Sequence, residues 1–465
     1  MRYGLKRSLL GAAAATMMTV MSAGAAFAAD TWNIPVATKK LDNGLTVVVS
    51  EDKSTPTVGV SVVYHVGMRL EPRNRTGFAH LFEHLMFEGS ANAPEGVFDR
   101  VITGGGGRNN GSTRPDFTNY IEVAPRSALE PILWLEADRM RGLDFRDATL
   151  KNQQDVVKEE IRVNVKNQPY GGFMWIDIGQ KAFDKWENNH DGYGSFEDLE
   201  NASLDDVRDF HNKFYGPNNA VIAIAGNVTP AEGFALAEKY FGNIPARPTP
   251  KAGDHSEGLN TKERRFKQED ALARAPALAV AWKIPDRGSK DQAPFAVLGE
   301  VLAGSDASRL YQSMVKGKEQ VLNLESLYGL TDPWTYDGPT LFTLFAIYKP
   351  GVAADDVIRS MDDEIARIAA QGVSDTELKR VKTSMLANWY NGNEMILNRA
   401  DTLAKLQTLW GDANVINKVP GWVEGVTSAD IQRVARKYLT TPNRTIIDRV
   451  PAPAAAPAAA TASKN

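Results

Sequence analysis

Two segments of this 465-residue chain resemble each other at a separation of about 224 positions, and that repeat restricts the fold more than any other feature. The first runs from Ser203-Leu-Asp-Asp-Val207 through Lys213-Phe-Tyr-Gly-Pro217-Asn218 to the apolar run at 221–225. The second runs from Thr427-Ser-Ala-Asp-Ile431 through Lys437-Tyr-Leu-Thr-Thr-Pro442-Asn443 to Thr445-Ile-Ile. Each reads as a Ser/Thr-capped helix, a Pro-Asn turn and a β-branched strand. Similarity kept in this order at one offset predicts two copies of one domain. The polar, Pro-containing stretch from Pro245 to about Glu269 is the expected seam.

Each half mixes strand-like runs, such as 45–50 and 58–63, with long helical patterns such as 355–370. The strands come in consecutive runs separated by helix pairs. The expected class is therefore α+β: two homologous domains, each a mostly antiparallel sheet with helices packed on one face. We expect domains at 29–250 and 251–449. An apolar fraction of 43%, a charged fraction of 24% and nine Trp describe a globular chain. A formal net charge of -4 argues against nucleic acid as a partner. The absence of Cys excludes disulfides, cysteinyl zinc sites, iron–sulfur clusters and thiol catalysis, so any chemistry must come from His, carboxylates, hydroxyls or a cofactor.

The two ends read differently from the body. Arg2, Lys6 and Arg7 precede the apolar, Ala-rich run 9–25, and Ala26-Phe27-Ala28 supplies a small-x-small cleavage site. Residues 1–28 are thus read as a secretory signal rather than a retained membrane anchor, and the mature chain as a periplasmic protein. No later stretch approaches the roughly 20 apolar residues that span a bilayer. Residues 450–465, a Pro/Ala run of low complexity, are read as a disordered tail.

The most informative local run is Gly77-Phe-Ala-His80-Leu-Phe-Glu83-His84-Leu-Met-Phe87. Only six His occur in the chain, and two of them stand four apart here. On a helix, positions i and i+4 lie one above the other, so His80 and His84 can hold one metal ion between them. Glu83 lies on the same side and can hold a water at that metal without being a ligand. Phe78, Leu81, Phe82 and Leu85 form the opposite, apolar face. The plain alternative is a pair of hydrogen-bonded core histidines beside a solvated Glu83. A catalytic zinc takes three protein ligands and keeps an open fourth position. Glu160 is the candidate third ligand, because it falls on the helical stripe of Leu150, Val157 and Ile161, whereas Glu159 points away from it. The alternative there is an ordinary acidic helix.

His80-Leu-Phe-Glu83-His84 resembles the inverted zinc motif, HxxEH, of the pitrilysin and insulinase-type peptidases, which include the mitochondrial processing peptidase. Glu160 follows His84 by 76 positions, as the glutamate ligand of the processing peptidase does. The resemblance spans nearly the whole chain after residue 28, including the half-repeat and the Tyr215-Gly-Pro217-Asn218-Asn219 turn. It implies His80, His84 and Glu160 as ligands of one Zn2+ per chain, and Glu83 as the general base of peptide-bond hydrolysis. Cobalt or manganese could replace zinc in vitro. It also implies that the run after Gly104–Gly107, with Asn110, Gly111 and Ser112, is an edge strand that pairs with an extended peptide substrate. Asn110 matches the family's Asn, and Gly111 stands where Ala is usual. The alternatives are a mobile hairpin loop or a phosphate loop, although no Gly-Lys-Ser/Thr follows.

Two departures from the family pattern bear on function. Many relatives carry a second glutamate seven residues before the ligand, where this chain has Gln153. Gln keeps the shape and hydrogen bonding but loses the charge, which alters the electrostatics of the site and not zinc binding. Counting from Ser308-Arg309-Leu310-Tyr311-Gln312, Val315 and Leu322 occupy the positions where active members place a substrate-holding Arg and Tyr. Neither side chain donates a hydrogen bond. The expected partner is therefore a homologous subunit that supplies the Arg/Tyr clamp and lacks the zinc motif, the two closing around an unfolded oligopeptide. A non-catalytic scaffold or assembly subunit of the same family is the alternative function, and a zinc-binding or peptide-carrying protein without turnover is a third.

Overall fold

A computed structural model describes residues 32–250 and 253–453. The sequence readings at 1–28 and across most of 450–465 fall outside the described residues. The described residues from Ile34 onward form one compact unit. Its frame is two sheets. The first holds β1 (Ala37–Lys40), β2 (Thr46–Glu51), β3 (Thr57–Tyr64), β4 (Arg108–Thr113), β5 (Thr118–Pro125) and β6 (Ala220–Gly226), in the spatial order β1-β2-β6-β3-β5-β4. The second holds β7 (Arg264–Asp270), β8 (Ala277–Lys283), β9 (Val321–Tyr328), β10 (Leu341–Tyr348) and β11 (Arg444–Pro451), in the order β7-β11-β8-β10-β9.

The orders superpose: β2-β6-β3-β5-β4 repeats as β7-β11-β8-β10-β9. The single parallel pair of each sheet also recurs, β2 with β6 and β7 with β11, and every other pairing is antiparallel. The duplication is thus a duplication of topology, and β1 is an extra edge strand of the first copy. The repeat that revealed it is the helix entering β6 or β11. Ser203 caps Leu204–Phe214 and Thr427 caps Ser428–Tyr438, each through a reciprocal capping box with the aspartate three residues on, Asp206 or Asp430. One first-turn N–H and the capping residue's own N–H find partners this way in each helix. The polar stretch read as a seam ends inside β7, an edge strand whose side chains are mostly solvated.

Alternation along the strands separates two faces. In the first sheet Val47, Val49, Val58, Val60, Val62, Ile222 and Ile224 point into a core shared with the helices Phe78–Leu85, Leu129–Arg141, Asp147–Ile161, Leu204–Phe214 and Pro230–Phe241. The other face bears small residues, among them Gly59, Ser61, Ala223 and Ala225, and the helix Ile396–Trp410 of the second half lies across it. A Cβ on Gly59 would stand 2.8 Å from the Ile396 carbonyl oxygen, so glycine is what lets this helix approach the sheet. Ser61 and Asn119 donate to Asp401 at 3.0 and 2.7 Å, and Arg399 reaches Asp52 at 2.9 Å. The exchange is reciprocal. Ala277, Ala279 and Ala281 of β8 are buried against Phe173, Ile178 and Ala182, from the first half. Each sheet therefore carries its own half's helices on one face and a segment of the other half on the opposite face.

Candidate metal centre

The helix Phe78–Leu85 anchors itself through Phe78, Leu81, Phe82 and Leu85, all buried in the first core. Phe82 packs between Phe210 and Tyr215, with ring centroids 5.3 and 4.3 Å away. That anchorage turns His80, Glu83 and His84 toward the helix Asp147–Ile161 and toward β4, the two elements packed on this side. Glu160 projects from its helix at the edge of the buried stripe, while Glu159 is exposed and paired with Arg162.

The three expected ligands converge. Nε2 of His84 lies 3.3 Å from Oε2 of Glu160, and Nε2 of His80 lies 3.7 Å from the same oxygen. One ligand atom from each residue lies within 4.8 Å of the others, the one such group among the described residues. The two imidazoles are nearly perpendicular, at 87°, with centroids 4.9 Å apart. Zinc bonds of about 2.0–2.1 Å to such donors set tetrahedral neighbours about 3.4 Å apart, so this donor set and its spacing fit zinc. Two imidazoles and one carboxylate also leave a fourth position open.

Burial, then the neighbouring His84, lowers the His80 imidazole to about 4 and keeps it in the neutral form a metal requires. Burial alone would lower His84 as well, but the hydrogen bond and charge of Glu160, together with Glu83 and Gln153, outweigh it and raise the pKa. The same hydrogen bond holds the Glu160 carboxyl below its usual value. Glu83 stands one residue from His84 and accepts a 2.6 Å hydrogen bond from Oγ1 of Thr113 on β4. Burial raises its carboxyl above the usual range. Gln153 is buried in the helix of Glu160 and its side chain hydrogen-bonds His84, so the residue that replaces a glutamate touches a candidate ligand.

β4 is the free edge of the first sheet, paired with β5 alone. Asn110 is exposed on it, and Ser112 donates to Asn119 at 2.5 Å. Gly111 faces the carboxylate: a Cβ there would stand 3.0 Å from Oε1 of Glu83 and 3.1 Å from the Phe87 ring. Val315 is half-buried in the turn Tyr311–Gly317, and Leu322 is 53% exposed on β9, the strand topologically equivalent to β4. Sequence reasoning missed Tyr193, whose ring meets that of His80 at 5.0 Å, and it gave Thr113 no role. Neither has a spacing that marks it, although the glycines on either side of Tyr193 announce a close approach.

A family model described as Insulinase (Peptidase family M16) matches residues 46–170, and one described as Peptidase M16 inactive domain matches 201–385. All three metal-directed residues lie within the first match. The zinc protease PqqE of Helicobacter pylori is 25% identical over 458 residues, covering 96% of this chain and 98% of that protein. YmxG of Bacillus subtilis, an uncharacterized zinc protease, is 24% identical over 408 residues, 86% of this chain and 94% of that one. Among solved structures, a protease from Helicobacter pylori superposes with a TM-score of 0.84 at 24% identity, over 90% of this chain and 100% of that one. Matches to both halves of the family, over a duplicated frame of the same kind, establish that this chain belongs to the pitrilysin/insulinase-type (M16) peptidases.

Proposed function

We propose that the chain is the zinc-bearing subunit of a metalloendopeptidase that hydrolyses unfolded oligopeptides. The observation that carries this reading is the convergence of His80, His84 and Glu160 on one point, with the half-buried Glu83 carboxyl beside them. His80, His84 and Glu160 would hold one Zn2+. The chemistry a bound zinc supplies at such a site is Lewis acidity, toward a scissile carbonyl and toward water. Glu83 takes the proton of the attacking water and delivers it to the leaving amine, a role suited to a carboxyl raised by burial and steered by Thr113. The unpaired edge of β4, with Asn110, Gly111 and Ser112, binds the peptide backbone as an added strand. An extended backbone is what such an edge accepts, which favours unfolded chains.

The absence of hydrogen-bond donors at Val315 and Leu322 supports a second subunit that supplies the Arg/Tyr clamp. The secretory pattern of residues 1–28 supports export to the periplasm. A non-catalytic scaffold is the competing function, favoured only by those two apolar positions. The experiment is hydrolysis of a quenched, unstructured peptide by the purified chain, alone and with candidate sister subunits, with zinc determined on the same samples. One zinc per chain and hydrolysis that disappears in Glu83→Gln, with zinc retained, is the expected result. A chain that binds zinc yet stays inert with every homologous subunit would favour the scaffold.

A further inference from the structure

His80 lacks the support a metal-bound histidine ordinarily has. Such a ring usually donates its second nitrogen to a carboxylate or carbonyl that fixes its orientation. Nδ1 of His80 is buried and has no hydrogen-bond partner. Its position must therefore come from the helix that carries it and from whatever ring lies against it.

That helix takes its cap from elsewhere in the chain. Ser195, Ser203, Thr229, Ser374 and Thr427 cap their own helices locally, whereas others, such as Val97–Gly104 behind the left-handed Gly96, have no side-chain cap. Phe78–Leu85 likewise starts from Gly77 in the left-handed region, at φ 77°, with no local side-chain cap. Its first N–H groups are taken by a remote carboxylate. Oε2 of Glu71 accepts from the Gly77 N–H at 2.9 Å, and Oε1 accepts from the Ala79 N–H at 2.8 Å. The Glu71 side chain is wholly buried and meets Nε2 of His190 at 3.0 Å. Nδ1 of His190 lies 2.8 Å from the Trp186 carbonyl, which only accepts, so that nitrogen carries a proton. The imidazole also stacks on the Trp186 ring, 4.1 Å away and 9° from parallel.

The same loop reaches the ligand itself. Three residues after His190, Tyr193 sets its ring edge-on to His80. Gly77 and Gly194 face each other so closely that a Cβ on Gly77 would overlap the Tyr193 carbonyl oxygen, and one on Gly194 the Thr76 carbonyl oxygen. A buried ion pair is a poor way to add stability, since apolar replacements are often neutral or better.

We infer that the Glu71–His190 pair is a positioning device for the metal ligands, which fixes the start of the His80/His84 helix against the loop that carries Tyr193. The inference rests on the zinc reading of the site. It assigns Glu71 and His190 no contact with substrate or metal.

The test measures zinc affinity of the purified chain by chelator competition, the visible spectrum of its cobalt-substituted form, and the melting of the metal-free form. The variants are Glu71→Gln and the double variant Glu71→Gln/His190→Leu, which leaves no unpaired charge. Zinc affinity is expected to fall about 10- to 100-fold in both, the usual cost of losing outer support at a metal site. The cobalt spectrum should change, while the metal-free double variant melts within a few degrees of wild type. If the single variant fails to fold, the double variant decides. Wild-type affinity with an unchanged cobalt spectrum in the double variant overturns the inference and leaves the zinc reading intact. So does a loss of affinity that merely follows a collapse of the metal-free fold. A wild-type chain that binds no zinc overturns both.

Discussion

Thr113 gives the Glu83 carboxylate a fixed hydrogen-bond partner, at 2.6 Å. Thr113→Val keeps the shape and deletes that hydrogen bond, so the carboxylate gains freedom, which would slow the hydrolysis proposed above if Glu83 is its general base. The expected result is a fall in kcat of roughly tenfold with KM and zinc content unchanged. An unchanged kcat would mean that Thr113 is only packing. A second residue-scale prediction concerns His211, which takes no part in the site. Arg247 donates to its Nδ1 at 3.0 Å, so the proton sits on Nε2, which faces the Arg139 carbonyl at 3.2 Å. Burial, then the Arg247 charge, lowers the imidazole to about 3. Below its ordinary pKa of 6.5 the unfolded chain binds a proton that the folded chain refuses. Stability from this group is therefore complete above about pH 6.5 and drains away toward pH 3, with about 2 kcal/mol lost by pH 5. Urea titrations of His211→Gln should show that much less loss between pH 7.5 and pH 5, and equal losses would refute the assignment. At this scale the sequence was legible where spacing encodes geometry. His80, Glu83 and His84 share a helix face by number alone, and Glu160 follows from a stripe. Thr113 and Tyr193 come from other elements, and no local pattern says which of their neighbours they will meet.

The elements were legible where their ends carry chemistry. The capping boxes at Ser203/Asp206 and Thr427/Asp430 are the same device at equivalent points of the two copies. Ser203→Ala and Thr427→Ala should each cost about 1 kcal/mol in urea unfolding, by loss of one bond to a first-turn N–H. Near-equal losses are expected because both caps lie at the surface and each feeds a buried strand, β6 or β11. A loss confined to one cap would show that only that helix start bears on the stability of the whole. The helix Phe78–Leu85 was predicted from its apolar face, yet its start was not explicable from sequence, because its cap is a glutamate pinned by a histidine 119 positions away. β7 escaped notice for a different reason: an edge strand solvated on both faces has no alternation to read.

At the scale of the molecule the duplication was visible, and the exchange between the copies was not. Hydrophobic spacing says that a helix has an apolar face but never which sheet will cover it. The available sign was negative: Gly59 and Ser61 in β3, and Ala277, Ala279 and Ala281 in β8, are small residues on strands whose other face is large and apolar. Small residues on a buried sheet face make room for something close. Here that is the helix Ile396–Trp410 on β3 and β6, and the segment around Phe173 and Ile178 on β8. The two copies therefore complete each other's sheets, and neither is expected to fold alone. A fragment of residues 34–250 would bare the small-residue face of its sheet to water. A fragment of 253–453 would leave Ala400, Leu403 and Ala404, now wholly buried, without a partner surface. Each fragment by itself should melt without a cooperative transition, as expected of a core missing one covering layer. Mixed in equal amounts, they should recover a cooperative transition near that of the intact chain. Gly59→Leu in one fragment should abolish that recovery, since the added side chain would stand where the Ile396 backbone passes. Cooperative melting of either fragment alone would mean that the exchanged helix decorates a finished domain rather than completing it.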